Sequence, residues 1–343
     1  MSDILIRKEG RAGRITLNRP AALNALTHRM ALAIDRALDD WRDDPDVAVV
    51  VVDAAGDRAF CAGGDLAEIY EAGRRGDFDY PRRFWAEEYR MNANVARYPK
   101  PYVALMQGHV LGGGVGVGMH GSHRIVGDTT KAAMPECAIG LIPDVGGTLL
   151  LAEAPGRLGE YLGLSGHRMG PGEAIHAGFA DTYIPEARWD ALIRDLVGAG
   201  DAGAIADHAV DAPPSTLAPL MEAIDDAFSA PDLAALTARL AATDWGAGVL
   251  ATLRRQSPLA MACTLELVRA ARNDRGVEKA LSREFRFTAR SLADGDLLEG
   301  IRALIIDKDR NPQWRDGIDD VAPAQIAAML APLGPDEMTW DGA

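Results

Sequence analysis

The sequence predicts an α/β fold followed by a helical C-terminal region, and three observations carry that expectation. Short apolar, β-branched runs alternate with helix-periodic stretches through about residue 190. Beyond it the strand signals stop, and Ala, Leu and Asp dominate between the breaks at Pro213-Pro214 and Pro231. Finally, 343 residues with 48% hydrophobic and 25% charged side chains suit one large domain or a domain with an appendage. The expected division is a core over residues 1–190 and a helical region over 191–343 packing on it.

In chain order, Ile4–Lys8 and Arg14–Asn18 alternate like strands, and Gly10-Arg-Ala-Gly13 supplies a hairpin turn. Asn24 is placed to cap a helix running to about Trp41, with Leu26, Met30, Ile34 and Leu38 at helical spacing. The β-branched run Val47–Val52 reads as a buried strand. The loop Cys61-Ala-Gly-Gly-Asp65 follows, and Asp65 suits the N-cap of the next helix. Tyr102–Met106 is a second buried strand leading into the glycine run Gly112–Gly118, and Arg124–Val126 and Ala132–Met134 read as short strands. Residues 190–250 read as helices with short linkers, and 258–310 as a helical C-terminal part.

Several function classes drop out early. A net charge of −14 argues against nucleic-acid partners, whose phosphates it would repel, without excluding an anionic small substrate. No apolar run approaches the roughly 18 residues needed to cross a bilayer, so no membrane partner is expected. Cys61, Cys137 and Cys263 are too few and too scattered for a disulfide framework. Together with an N-terminus that lacks a signal peptide's apolar stretch, they make a cytoplasmic location the expectation.

The chemistry concentrates in Met134-Pro-Glu-Cys-Ala-Ile-Gly-Leu-Ile-Pro-Asp-Val-Gly-Gly147, where Glu136 and Asp144 sit in apolar surroundings. Charged groups there are unfavourable unless paired, hydrogen-bonded or protonated. The glycine-rich loops at 61–65 and 112–118 add backbone donors: Gly113 N–H at a helix N-terminus and Gly64 N–H as its companion suit an acyl oxygen that turns anionic. Competing readings are weaker. Gly116-Val-Gly-Met-His-Gly121 matches a dinucleotide pattern, but Asp128 comes too early for the ribose acid, so close helix packing is the better reading. His120 and His123 lack a third ligand at a sensible spacing, so no metal is expected. Cys137 has no histidine placed to activate it and reads as a buried filler, and no G-x-S-x-G elbow is present. Of Glu87 and Glu88, flanked by Phe84, Trp85 and Tyr89, one is expected to face inward.

Leu17-Asn-Arg-Pro20 with Leu23-Asn-Ala-Leu26, Phe60-Cys-Ala-Gly-Gly-Asp65, Leu111-Gly-Gly-Gly114 and Pro135-Glu136 together resemble the crotonase (enoyl-CoA hydratase/isomerase) superfamily. The resemblance implies a spiral of ββα units and an acyl-CoA thioester held by two backbone N–H groups, which carry over to Gly64 and Gly113. It implies that Gly63, Asp65, Gly112 and Glu88 bind substrate, that CoA enters as part of the substrate with no separate cofactor, and that a homo-oligomer is compatible with the fold. The closer likeness is to the hydrolase branch, which cleaves short 3-hydroxyacyl-CoA thioesters such as 3-hydroxyisobutyryl-CoA in valine breakdown. Glu299-Gly-Ile-Arg-Ala-Leu-Ile-Ile-Asp-Lys-Asp-Arg-Asn-Pro-Gln-Trp314 carries that likeness nearly to the C-terminus.

Hydratases of the superfamily use two glutamates. One matches Glu136, and the other falls at Gly116, which has no acid or base to offer, while Asp144 stands where hydratases carry a small residue. Glu136 would attack the carbonyl or activate water; Asp144 would orient water or the substrate hydroxyl, or protonate the leaving thiolate. Departures from the hydrolase pattern are Cys137, Ile142, Thr148 and Leu66-Ala-Glu-Ile69. Arg58, Lys100 and Lys308 are the cations near enough to the motifs to be considered for the CoA phosphates. A hydratase or isomerase of the same superfamily, or a non-catalytic acyl-CoA-binding protein, are the alternative readings.

Overall fold

The first two strands, β1 (Ile4–Glu9) and β2 (Ala12–Leu17), form the expected hairpin, with Glu9 opposite Ala12 across a two-residue turn. Gly13 therefore lies inside β2 and not in the turn. Its missing side chain makes room for Trp41, whose ring a Cβ there would meet at 2.4 Å. The computed structural model describes residues 2–340.

Helix α1 (His28–Arg42) buries Met30, Ile34, Leu38 and Trp41 along one face, as the spacing predicts. Its N-cap is Thr27, whose side chain accepts from Met30 N–H, and not Asn24. Asn24 lies in the left-handed region (φ 55). Its side chain accepts from Arg19 N–H and donates to the carbonyls of Ala55 and Ala59. Partners more than thirty residues away outcompete the local capping role.

Contacts divide the chain into two units: Met1–Gly64, Glu87–Ala133 and Arg168–Ala218 form the first, and Asp65–Ala86, Met134–His167 and Pro219–Ala343 the second. The first holds both sheets. The larger runs β1-β2-β3-β5-β7-β9, with β3 (Val49–Ala54), β5 (Tyr102–Met106), β7 (His123–Val126) and β9 (Thr182–Tyr183) all parallel to β2. Val49, Val51, Val103, Leu105 and Ile125, at alternate positions, pack one sheet face against Leu192 and Leu196 of the helix Trp189–Ala199. Val50 and Val52, on the opposite face, are also buried, which is why the strand reads as a continuous apolar run.

The smaller sheet, β4 (Ala59–Cys61), β6 (His109–Leu111) and β8 (Lys131–Ala133), is parallel. Three times the chain passes from a strand of the large sheet to one of the small sheet and then into a helix or helical turn. These passages are β3-β4-α2 (Leu66–Arg74), β5-β6-α3 (Gly113–Gly118) and β7-β8 followed by the 3₁₀ turn Glu136–Ile139. This is the ββα repeat that the resemblance implies. The predicted site residues follow the small-sheet strands: Gly63 and Gly64 after β4, Gly112 and Gly113 after β6, and Glu136 after β8.

The second unit is helical. The turn Glu136–Ile139 is followed by α4 (Gly147–Glu153) and by the helix Leu158–Ser165. The C-terminal helix Pro258–Asn273 packs on both of them, Val277–Ser291 packs on α4, and Leu297–Ile301 packs on the turn and on α2. Among the described residues no strand follows Tyr183, and no helix is long and apolar enough to cross a membrane.

Candidate active site

Two clusters contain the predicted residues, one in each unit. In the first unit Gly63, Gly64, Gly112, Gly113 and Glu88 come together. Leu26 N–H donates to Gly63 O (2.9 Å) and tethers the loop after β4. Gly63 (φ +105) and Gly112 (φ +46, ψ −113) hold backbone conformations that side chains rarely adopt. Gly113 is the first residue of α3, where an amide has no acceptor within the helix. A Cβ placed on Gly113 would lie 3.0 Å from Glu88 Oε1 and 3.4 Å from Gly64 N. Gly113, the Gly64 amide and the Glu88 carboxyl therefore surround one spot. Glu88 is buried, whereas Glu87 is half-buried and pairs with His28.

The other glycines of the run serve packing. A Cβ on Gly114 would stand 2.4 Å from Cys61 O. On Gly118 it would meet Met106 Sδ, and on Gly121 the Tyr102 ring, each at 2.5 Å. Two glycines of the dinucleotide-like spacing, Gly118 and Gly121, thus mark close approach of this segment to β5. Lys100 is engaged inside the same unit, where its ammonium donates to the carbonyls of Trp41 (2.5 Å) and Asp44 (2.7 Å).

In the second unit stand Glu136 and Asp144, 6% and 5% exposed, and Asp65. Asp65 caps α2, accepting from Ala67 N–H at 3.4 Å. Burial pushes the Glu136 carboxyl well above the usual carboxylate range, and the charges of Asp144 and Glu284 push the same way against a bond from its own backbone N–H. Glu136 Oε2 has no hydrogen-bond partner among the described residues. A carboxyl held this way becomes a strong base or nucleophile once it ionises.

The turn carrying Glu136 is held from the C-terminal helices. Ser257 N–H donates to Cys137 O (2.9 Å), and its hydroxyl donates to Asp296 Oδ2 (2.7 Å). Gly140 (φ +76) closes the turn against Asp296, and Gly300 lies so close to Ile139 that a Cβ there would be 2.1 Å from Ile139 O.

Asp144 precedes a strained stretch. Val145 is β-branched at φ +54, a conformation that costs about 1–2 kcal/mol. Gly146 follows at φ +80 and begins α4 with no side-chain cap of its own. Its partner is Glu284, fully buried on Val277–Ser291, which accepts from Gly146 N–H (2.8 Å), Thr148 N–H (3.0 Å) and the Thr148 hydroxyl. Burial nevertheless raises the Glu284 carboxyl to about 8. Sequence reasoning missed this residue. Its signal was helical spacing: Glu284 lies on the apolar stripe of Ala280, Leu281, Thr288 and Ser291, all buried.

Cys137 donates its thiol to Gly163 O (3.4 Å) and touches the Thr264 hydroxyl, and burial pushes it up to about 12, so thiolate chemistry is unfavourable there. Among the described residues no group of three or more His, Cys, Asp or Glu is placed to hold a metal ion.

The chain belongs to the enoyl-CoA hydratase/isomerase family, whose family model matches residues 12–330. Within that family it is 35% identical over 346 residues to the Xenopus tropicalis protein named 3-hydroxyisobutyryl-CoA hydrolase, mitochondrial, with 97% of this chain and 89% of that protein covered. Two solved structures match with TM-scores of 0.95. One, titled an enoyl-CoA hydratase from Rhodobacter sphaeroides 2.4.1, is 55% identical and covers 99% of this chain and 100% of its own. The other, titled a carnitinyl-CoA dehydratase from Mycobacterium thermoresistibile, is 42% identical and covers 100% of both chains.

Proposed function

We propose that this chain is a CoA thioester hydrolase that converts 3-hydroxyisobutyryl-CoA, or a close short 3-hydroxyacyl-CoA, to the free acid and CoA in valine breakdown. The full-length kinship with the hydrolase from Xenopus tropicalis supports the reading. The observation that carries it is the buried pair Glu136 and Asp144 in a chain with glycine at 116. Hydration of an enoyl thioester needs a second acid or base at that position, and hydrolysis does not.

In this reading the thioester oxygen accepts from the amides of Gly64 and Gly113, and Glu88, Gly63, Asp65 and Gly112 bind the rest of the acyl-CoA. Such a donor contributes about 3 kcal/mol of transition-state stabilisation. Glu136 either attacks the carbonyl carbon, giving a mixed anhydride that water then opens, or takes a proton from the attacking water. Either way the C–S bond breaks, the thiolate leaves as CoA and collects a proton, and one water is consumed. Asp144 orients the water or the 3-hydroxyl, or supplies the thiolate's proton. The chemistry needs no cofactor beyond the CoA of the substrate. A cytoplasmic, reducing setting suits three buried free thiols.

The names of the two structural relatives, a hydratase and a dehydratase, favour a second reading, addition or removal of water at an enoyl thioester. One experiment separates them: thiol release from 3-hydroxyisobutyryl-CoA, with crotonyl-CoA hydration in parallel, for wild type and Glu136→Gln. The expected outcome is thiol release that the variant loses. Crotonyl-CoA hydration without thiol release establishes the second reading.

A further inference from the structure

Asp144 stands beside a backbone that its own residues do not favour. The β-branched Val145 (φ +54) and then Gly146 (φ +80) take left-handed conformations in succession. Such geometry persists where surrounding structure over-determines it. Local supports include the turn in which Gly147 N–H donates to Asp144 O at 2.7 Å and the bonds that Leu149 and Leu150 N–H donate to Gly146 O. Glu284, 138 residues beyond Gly146 in sequence, adds a distant one.

We propose that Glu284 is a positioning residue for hydrolysis: by accepting from Gly146 N–H and Thr148 N–H it holds the Asp144–Gly146 turn in its strained form, with the Thr148 hydroxyl as its lock. This rests on the reading of Asp144 as a hydrolytic carboxylate. Three donors converge on two oxygens, Gly146 N–H on Oε2 and both Thr148 groups on Oε1. The ionised carboxylate accepts on both oxygens, whereas a glutamine offers one acceptor oxygen and turns an NH₂ toward a donor, so above about pH 8 the substitution breaks one side of the clamp while keeping the volume. Thr148 is one of the residues that depart from the hydrolase pattern, and its hydroxyl has this structural use. The segment that Glu284 clamps begins directly at Asp144, so slack in it moves the carboxylate.

The test compares Glu284→Gln, Thr148→Val, Thr148→Ser and Asp144→Asn by thiol release from 3-hydroxyisobutyryl-CoA, with circular dichroism to confirm folding. Misplacing a catalytic group lowers kcat with little change in KM, so Glu284→Gln is expected to lose about 10–100-fold in kcat with KM within about twofold. Thr148→Val is expected to lose about 3–10-fold, and Thr148→Ser, which keeps the hydroxyl, to recover most of it. Should Glu284→Gln fail to fold, the Thr148 pair carries the test alone. Wild-type kcat in Thr148→Val, or a loss appearing only in KM, overturns the positioning role. If Asp144→Asn is inactive in that case, the assignment of Asp144 as a hydrolytic carboxylate survives; full thiol release by Asp144→Asn overturns that assignment together with the positioning role, and only a wild type that releases no thiol overturns the hydrolase reading.

Discussion

Gly113→Ala separates the oxyanion function of the glycine run from its packing function. Gly113 lies in α3 with no positive φ, so alanine is conformationally better there by about 0.5–1 kcal/mol. The added methyl meets one tight contact, Glu88 Oε1 at 3.0 Å, at the end of a flexible side chain. The net effect on stability is therefore expected within about 1 kcal/mol of wild type. Activity is another matter. The methyl carbon would sit 3.4 Å from Gly64 N, where an acceptor oxygen needs to stand at about 2.9 Å. Methyl and oxygen cannot share that space, so the thioester oxygen loses the Gly64 donor, and kcat is expected to fall by about 10²–10³, or roughly 3–4 kcal/mol. Gly114→Ala is the control. Its methyl would stand 2.4 Å from Cys61 O and 2.9 Å from Cys61 Cβ, so it should lose stability, by about 1–3 kcal/mol or more. Thermal unfolding and steady-state thiol release on both variants give the comparison. A folded Gly113→Ala enzyme with kcat within about threefold of wild type would refute the assignment of this spot as the oxyanion seat.

Further expectations follow from the second unit. Glu136 and Glu284 both hold their protons more tightly folded than unfolded, so the folded state binds the extra protons. The stability they contribute is full below the unfolded value of about 4.5 and is lost as pH rises toward the folded values, about 8 for Glu284. Urea unfolding at about pH 5, 7 and 9 should show Glu284→Gln gaining on wild type with rising pH, on the order of a few kcal/mol at most, and a gap that shrinks or reverses would contradict the burial argument. Gly300→Ala would place a methyl 2.1 Å from Ile139 O; it should cost about 1–3 kcal/mol and lower kcat through the Glu136 turn, and a variant with wild-type melting and turnover would deny that contact any weight. Cys137→Ala should keep kcat within about threefold of wild type while losing about 1–2 kcal/mol of stability, whereas abolished turnover would return the thiol to the mechanism.

The large-scale pattern was legible because its signals are local. The hairpin, the valine strand β3, the strand β5 and the Asp65 cap each follow from a few adjacent residues. Strands β4 and β6 have three residues each and β9 two, too short for a period to show. Asn24 and Thr27 are both acceptable caps by type, and only the distant carbonyls of Ala55 and Ala59 decide between them. The motif loops stood out in the sequence as glycines beside carboxylates in apolar runs. Their supports did not. Glu284 lies among Lys279, Arg283 and Arg286, where a glutamate reads as surface charge, and Gly300 reads as a helix interruption until Ile139 is seen against it. The texture change near residue 190 likewise says nothing of Asp65–Ala86 and Met134–His167, which belong with the C-terminal helices.

The second unit gathers its parts in an order that matters during biosynthesis. Glu136 and Asp144 leave the ribosome long before Ser257, Glu284, Asp296 and Gly300, the residues that fix them. At ordinary translation speeds that interval is roughly ten seconds, during which Ala138-Ile-Gly-Leu-Ile142 has none of its eventual cover from the helices beyond residue 257. On the proposed mechanism, a nascent chain carrying every glycine loop and both carboxylates is therefore expected to be inert toward CoA esters. A message cut short before the codon for Ser257 would yield a protein with the family's N-terminal signature and no hydrolase activity. Thiol release would thus report completed synthesis, because the last-made quarter of the polypeptide finishes the work of the middle.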